Sequence, residues 1–162
     1  MNLKIKILTT GGTIDKVYFD QKSTFAVGES TVGEILKEAN VTFEFESESI
    51  MRKDSLDMTD EDRQIILEKI RTESCRHIIL THGTDTMIET AKMLLAVSEK
   101  VIVLTGSMSP ARFRSSDAFF NFGGAVAAVQ ILPPGVYIAM NGLIFDPQRA
   151  RKNREENRFE EI

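Results

Sequence analysis

Ile78-Ile79-Leu80-Thr81-His82-Gly83-Thr84-Asp85-Thr86-Met87, continuing as IETAKMLL to Leu95, holds a strand, a loop and a helix in that order. Ile78 to Leu80 is a short, β-rich apolar run. Thr81 to Thr86 is a loop of hydroxyls, glycine and one acid. From Met87 the apolar residues recur at Met87, Ala91, Leu94 and Leu95, the spacing of a buried helix face. Thr84 or Asp85 could cap that helix, and Thr86 with Glu89 has the form of a capping box.

The same alternation extends in both directions. Short apolar runs stand at Leu3 to Leu8, Val41 to Phe45, Val101 to Leu104 and Val136 to Met140. Helical spacing fills the intervals. Thr31 to Ala39 opens with a Thr31/Glu34 box. Thr59 and Asp62 could form another, ahead of Ile66, Leu67 and Ile70. Asp117 to Ile131 is small and apolar almost all round, which predicts a well-buried helix. Pro133-Pro134-Gly135 is a tight connection into a strand. Strand then helix, repeated without a linker, predicts an α/β fold: a parallel sheet with helices on its faces, in a single domain.

Bulk properties narrow the function classes. A chain of 162 residues, 42% hydrophobic and 27% charged, suits one soluble domain with its own core. A formal net charge of -4 gives no reason to expect nucleic acid or an acidic membrane as partner. The single cysteine, Cys75, cannot form an internal disulfide and precedes a strand as a half-buried small residue. The N-terminus alternates with lysines and lacks the apolar core of a signal peptide, so the expected location is cytoplasmic, with no membrane contact.

In an open α/β sheet, ligands bind beyond the carboxyl ends of the strands. After the first strand come Thr9, Thr10, Gly11, Gly12 and Thr13. After the second come Lys53, Asp54, Ser55, Leu56 and Asp57. The third opens into Thr81 to Thr86, and the fourth into Thr105, Gly106, Ser107 and Met108. Four such loops at one edge predict a polar pocket lined by hydroxyls and carboxylates. The glycine pair allows positive φ and close approach of a ligand to the backbone. Phosphate binding is one use of it, but the spacing matches neither G-x-G-x-x-G nor a P-loop. The other use is to present Thr13 as a nucleophile, which needs a proton acceptor; Asp15, Lys16 and Tyr18 are near in sequence.

TTGGTI (Thr9 to Ile14) taken with THGTDTMIETA (Thr81 to Ala91) resembles the type I/II L-asparaginase family. GSMSP (Gly106 to Pro110) and SSDAFFN (Ser115 to Asn121) follow in that family's order and spacing. The resemblance runs over nearly the whole chain and corresponds to the N-terminal, catalytic domain of a usual member. On it, residues 1–162 are similar to a short, single-domain form, Rossmann-like or flavodoxin-like.

The resemblance implies hydrolysis of L-asparagine, a small-molecule substrate, to L-aspartate and ammonia through an acyl-enzyme. Thr13 would attack the amide carbon, helped by Tyr18 from a loop covering the site. Thr84, Asp85 and Lys152 would form a second constellation in which the lysine and the acid polarise Thr84. Ser55 and Asp57 match the loop that holds the substrate's α-carboxylate and α-ammonium groups. Gly12, Asp54, Gly83, Thr84 and Asp85 complete the implied binding set, with amides near Gly12 and Thr84 facing an oxyanion. The resemblance implies no metal or organic cofactor, and a homo-oligomer, dimer or tetramer. An amino-acid-binding module without turnover, and an amidotransferase-like subunit, are the alternatives.

Three departures stand out. Leu56 occupies the place of a glutamine, which puts activity on glutamine in question. Phe25 stands where many members have a tyrosine, in the segment Ser23 to Gly28. The second domain of longer members has no counterpart in these residues. Elsewhere, His77 reads as a surface residue at a strand start and His82 as a structural hydrogen-bonding group. Phe119, Phe120 and Phe122 read as core or subunit contact. The tail Arg149 to Ile162, rich in both charges, reads as a solvated helix or a frayed end.

Overall fold

A computed structural model of the chain describes residues 2–19 and 24–162. Its centre is a six-stranded sheet. The strands are β1 (Lys4–Gly11), β4 (Glu44–Lys53), β5 (His77–Thr81), β6 (Val101–Thr105), β7 (Gly135–Met140) and β8 (Leu143–Phe145). Across the sheet they lie in the order β4-β1-β5-β6-β7-β8. All neighbours are parallel except β7 and β8, which pair antiparallel. Leaving out that edge, the order is that of a flavodoxin-like sheet, as expected.

Alternation along the strands feeds two cores. Leu8, Ile78, Leu80, Ile102, Leu104 and Ile138 face one side. They meet the helices α2 (Asp60–Thr72) and α3 (Met87–Leu94) through Ile66, Leu67, Ile70, Ala91 and Leu94. Ile5, Ile7, Ile79, Val101 and Val103 face the other. They meet α1 (Val32–Glu38) and α4 (Ala118–Ile131) through Val32, Ile35, Phe122, Ala125 and Val129. Helices therefore cover both faces, which is why the central strands read as unbroken apolar runs.

The structure corrects several expectations. The second strand is Glu44–Lys53, not Val41 to Phe45. It is an edge strand, half exposed, and its Glu and Ser residues hide it from a search for apolar runs. Lys6, 3% exposed on β1, binds it instead: Nζ lies 2.7 Å from Glu46, 2.9 Å from Glu48 and 3.5 Å from Glu73. The Thr59/Asp62 capping box forms in full. The Thr31/Glu34 box does not, because Thr31 is itself helical in backbone, and its amide points to the Asp15 carboxylate at 3.3 Å. The Thr86/Glu89 box is also absent; the Thr86 hydroxyl donates to the Ser55 carbonyl at 2.9 Å.

Two small antiparallel pairs complete the architecture. β2 (Lys16–Phe19) pairs with β3 (Thr24–Val27), and β9 (Ala150–Asn153) with β10 (Arg158–Glu161). The second pair replaces the expected helical or frayed tail. Its alternating charges pair across the ladder, as in Arg151 with Glu160, while Phe159 turns inward and is 2% exposed. The helix α4 is less buried than its composition suggests. Phe122 is in the core, but Phe119 and Phe120 face outward. Among the described residues no helix is long and apolar enough to cross a membrane.

Candidate active site

The first strand ends in two glycines, Gly11 and Gly12, with φ of 100° and 82°. Side chains rarely adopt that conformation, so the turn selects glycine. A short 3-10 turn, Thr13–Asp15, follows. Space selects glycine at position 12 a second time. A β-carbon there would lie 2.5 Å from the Gly83 nitrogen, and one on Gly83 would lie 2.6 Å from the Ser55 Cβ and Oγ. The loops after β1, β4 and β5 are thus in backbone contact, in a row. Three hydrogen bonds tie the row. The Gly12 amide donates to the Lys53 carbonyl at 2.9 Å, Thr10 Oγ1 to the Thr81 carbonyl at 2.8 Å, and Thr86 Oγ1 to the Ser55 carbonyl. The row lies where strand order reverses about β1, the expected place for a ligand in this sheet type.

The side chains of the second constellation meet. Lys152 Nζ, carried in by β9, donates to Thr84 Oγ1 at 2.8 Å and to Asp85 Oδ1 at 2.9 Å. Thr84 is 5% exposed, so this contact is shielded from water. Register explains how the lysine arrives: Lys152 sits opposite Phe159, whose ring packs 6.3 Å from that of Phe145 at the end of β8. The Phe159 amide also donates to Asn141 Oδ1 at 2.8 Å.

The loop after β4 places its residues differently. Ser55 is 1% exposed, and its Oγ has no partner among the described residues. Such a buried hydroxyl is costly unless something hydrogen-bonds to it. Asp54 pairs with Lys16 at 2.7 Å and accepts from the Leu56 amide at 3.1 Å. Partial burial pushes the Asp54 carboxyl up, but the Lys16 bond, the Leu56 amide and the charges of Lys16 and Lys152 hold it below its ordinary value. Asp57 and Leu56 are exposed. A cleft of about 620 Å³ runs beside them, lined by Lys16, Arg52, Asp54 and Asp57 among others.

Thr13 stands half-buried beside Gly12, and among the described residues its hydroxyl and its amide have no hydrogen-bond partner. The Thr84 amide is likewise free of one, whereas the Gly12 amide is taken by Lys53. Two unengaged amides on touching loops can stabilise a negative oxygen between them. Among the described residues no hydrogen bond joins Tyr18 to Thr13. Tyr18 lies on β2, 52% exposed, with its ring 5.3 Å from that of Phe25, which in turn sits 5.7 Å from Phe113. Ser23, where that segment begins, lies outside the described residues.

Two contacts are not legible in the sequence. Arg154 Nη2 lies 3.4 Å from the same Asp85 oxygen that holds Lys152. Arg154 lies in the hairpin turn just past the strand that carries Lys152, so reading the tail as a helix hides the pair. Lys16, a candidate partner for Thr13, has Asp54 as its carboxylate partner instead. An apolar groove of about 400 Å³ lies elsewhere, between α4 and β8, lined by Phe119 and Phe120 among others and by none of the candidate site residues.

A family model described as "Asparaginase, N-terminal" matches residues 4–160. The chain is 33% identical over 159 residues to a glutaminase-asparaginase of Acinetobacter glutaminasificans, a match covering 87% of this chain and 47% of that one. It is 35% identical over 158 residues to one component of the glutamyl-tRNA(Gln) amidotransferase of Methanococcus vannielii, covering 90% of this chain and 36% of that one. Among solved structures, L-asparaginase I of Vibrio cholerae O1 biovar eltor str. N16961 superposes with a TM-score of 0.86 at 26% identity. That superposition covers 99% of this chain and 52% of the other. The chain spans about half the length of the curated relatives it matches, or less.

Proposed function

This chain belongs to the asparaginase family, and from that premise we propose that it hydrolyses L-asparagine to L-aspartate and ammonia. The observation that carries the reading is Lys152 Nζ on both Thr84 Oγ1 and Asp85 Oδ1, from residues far apart in the chain. An amine held between a hydroxyl and a carboxylate can accept the hydroxyl's proton when neutral, and return it.

In this reading Thr13 Oγ attacks the side-chain amide carbon, forming a C–O bond, while the carbonyl oxygen takes up negative charge against the Thr13 and Thr84 amides. Collapse breaks the C–N bond, and nitrogen leaves as ammonia with the threonine's proton. A water polarised by Thr84, Lys152 and Asp85 then attacks the ester and releases aspartate. Ser55, with its unpartnered hydroxyl, and Asp57 are assigned to the substrate's α-carboxylate and α-ammonium groups, with Asp54, Gly12 and Gly83 shaping the pocket. Tyr18, on β2 close in sequence to Thr13, is assigned to assist it.

Ammonia release from L-asparagine tests this. Thr13→Ala is expected to lower kcat by about a thousandfold or more. A parent chain that releases no ammonia, or a Thr13→Ala variant as fast as the parent, overturns it. The match to an amidotransferase component favours a second reading, in which the site supplies ammonia to a partner. Turnover of L-asparagine by the chain alone weighs against that.

A further inference from the structure

His82 is fully buried and sits between the end of β5 and the Gly83-Thr84 loop. Its Nδ1 lies 2.7 Å from the carbonyl oxygen of Gly83. A carbonyl can only accept, so Nδ1 must carry a proton. Its Nε2 lies 2.7 Å from Thr90 Oγ1 on α3. The Thr90 hydroxyl in turn receives the Nε–H of Arg63, on α2, at 3.2 Å. Arg63 is 8% exposed, and its Nη1 donates to the Met58 carbonyl at 3.4 Å and to Asp60 at 3.1 Å. With its oxygen accepting from a guanidinium, Thr90 has its own proton to give to Nε2. The Met58 sulfur, 3.1 Å from Nε2, has none to offer.

Every group therefore has a defined direction: Arg63 to Thr90, Thr90 to His82, His82 to the Gly83 carbonyl. Burial, followed by the nearby Arg63 charge, favours the neutral ring and brings the imidazole down to about 4, against the Gly83 bond, which raises it. One ring proton remains, and the carbonyl claims it for Nδ1.

The Gly83 carbonyl and the Thr84 amide belong to one peptide plane. In a trans peptide the two point in opposite directions, and no cis bond occurs among the described residues. Holding the carbonyl from behind fixes where the amide points in front. That amide has no partner among the described residues and stands beside the Thr84 hydroxyl held by Lys152.

We infer that His82, locked as the Nδ1–H tautomer by Thr90 and Arg63, is a positioning residue that aims the Thr84 amide at the developing oxyanion. The inference rests on the hydrolytic reading above, and touches substrate only through the peptide it holds. It predicts a particular pattern of variants. His82→Leu removes the donor and lowers kcat at least about tenfold while KM stays within about twofold, because the lost interaction strengthens only in the transition state. His82→Asn places an amide N–H where Nδ1–H stood and restores kcat to within about threefold of the parent.

The test combines steady-state ammonia release by the parent and both variants with nitrogen NMR of the histidine rings in the parent. His77 is the only other histidine, and a His77→Gln variant assigns the signals. The expected result is an Nδ1–H His82, a kcat loss in His82→Leu and its rescue in His82→Asn. A proton found on Nε2 overturns the inference whatever the activity. So does a parent that turns over with His82→Leu equally fast, or with the loss in KM alone, and the hydrolytic reading then survives. A parent without turnover ends both. Should His82→Leu fail to fold, His82→Asn and the ring spectrum still decide: an Asn variant more than about tenfold slower in kcat, once folded, is contrary to the inference.

Discussion

Gly12 and Gly83 are where the backbone of one loop presses on another, and that contact has measurable consequences. A methyl group on Gly83 would stand 2.6 Å from Ser55 Cβ and Oγ and 3.0 Å from the Ser55 nitrogen. Backbone nitrogen cannot swing aside as a long side chain can, so the β4 and β5 loops must separate. Gly83→Ala is expected to cost about 1–3 kcal/mol of stability and to lower kcat/KM by about a hundredfold, since small displacements of reacting groups weigh heavily. Chemical denaturation and ammonia release on the same preparation read the two effects. A kcat/KM equal to the parent's would show that the loops do not act together. The glycines are visible in the sequence as a pattern, and Thr84, Asp85 and Lys152 can be picked out there by resemblance. Their spatial row is not visible, because residues 12, 55 and 83 meet only through the order of strands in the sheet. Tyr18 is a different case: it is near Thr13 in sequence, and the partner its ring shows is Phe25, a contact that sequence proximity to Thr13 does not suggest.

Among the elements, β4 is the one whose identity depends on charge. Burial alone pulls the Lys6 ammonium down; bonds to Glu46 and Glu48, and the charges of Glu48 and Glu73, more than reverse that and hold it above its ordinary value. Lys6 lies directly across the ladder from Glu46. Removing the cation leaves carboxylates facing each other beside a buried hole. Lys6→Ala should therefore destabilise the fold by about 1–2 kcal/mol, because the ammonium is buried but Glu46 and Glu48 are half-exposed and water screens part of what a shielded pair would lose, seen as a lower urea midpoint with an unchanged slope. A loss under about 0.5 kcal/mol would place the pair among ordinary surface bridges. The same chemistry explains what periodicity can and cannot deliver. The buried strands β1, β5, β6 and β7 announce themselves as apolar runs, and α2 by its Thr59/Asp62 cap. Strand β4 and the β9–β10 pair carry charges that meet across the ladder, and in a linear sequence these look the same as those of a solvated helix.

For the whole molecule, two buried titratable groups set opposing responses to pH. Asp15 is 1% exposed; burial pushes its carboxyl up to about 6, against the Thr31 amide, Ser30, and the charges of Arg112 and Arg52. The native state holds that proton more tightly than the unfolded chain, whose ordinary value is 3.8. Its contribution is thus present below about pH 4 and lost as pH rises through about 6. His82 does the reverse: its contribution is present above 6.5 and lost as pH falls through about 4. The two slopes oppose each other across the same interval. Asp15→Asn removes one of them, so it should gain on the parent by roughly 3 kcal/mol between pH 4 and pH 7. Unfolding curves at a series of pH values measure the gap, and parallel curves would refute the assignment. At this scale the parallel, doubly covered sheet is legible from the alternation of short apolar runs and helical spacing. The outward face of α4 is not, because composition cannot say which side of an apolar helix is left uncovered.

The lysine on β9 enters after the last strand of the central sheet. As the polypeptide emerges from the ribosome, residues through Phe145 supply every strand of the central sheet and carry Thr13, Ser55 and Thr84, while Ala150 and Phe159 of the later hairpin complete one of the two cores. Only then does position 152 follow. On the proposed reading, a nascent chain would hold most of its framework before the amine reaches Thr84 and Asp85, so a short, late-arriving hairpin would be the last part of the site to fall into place.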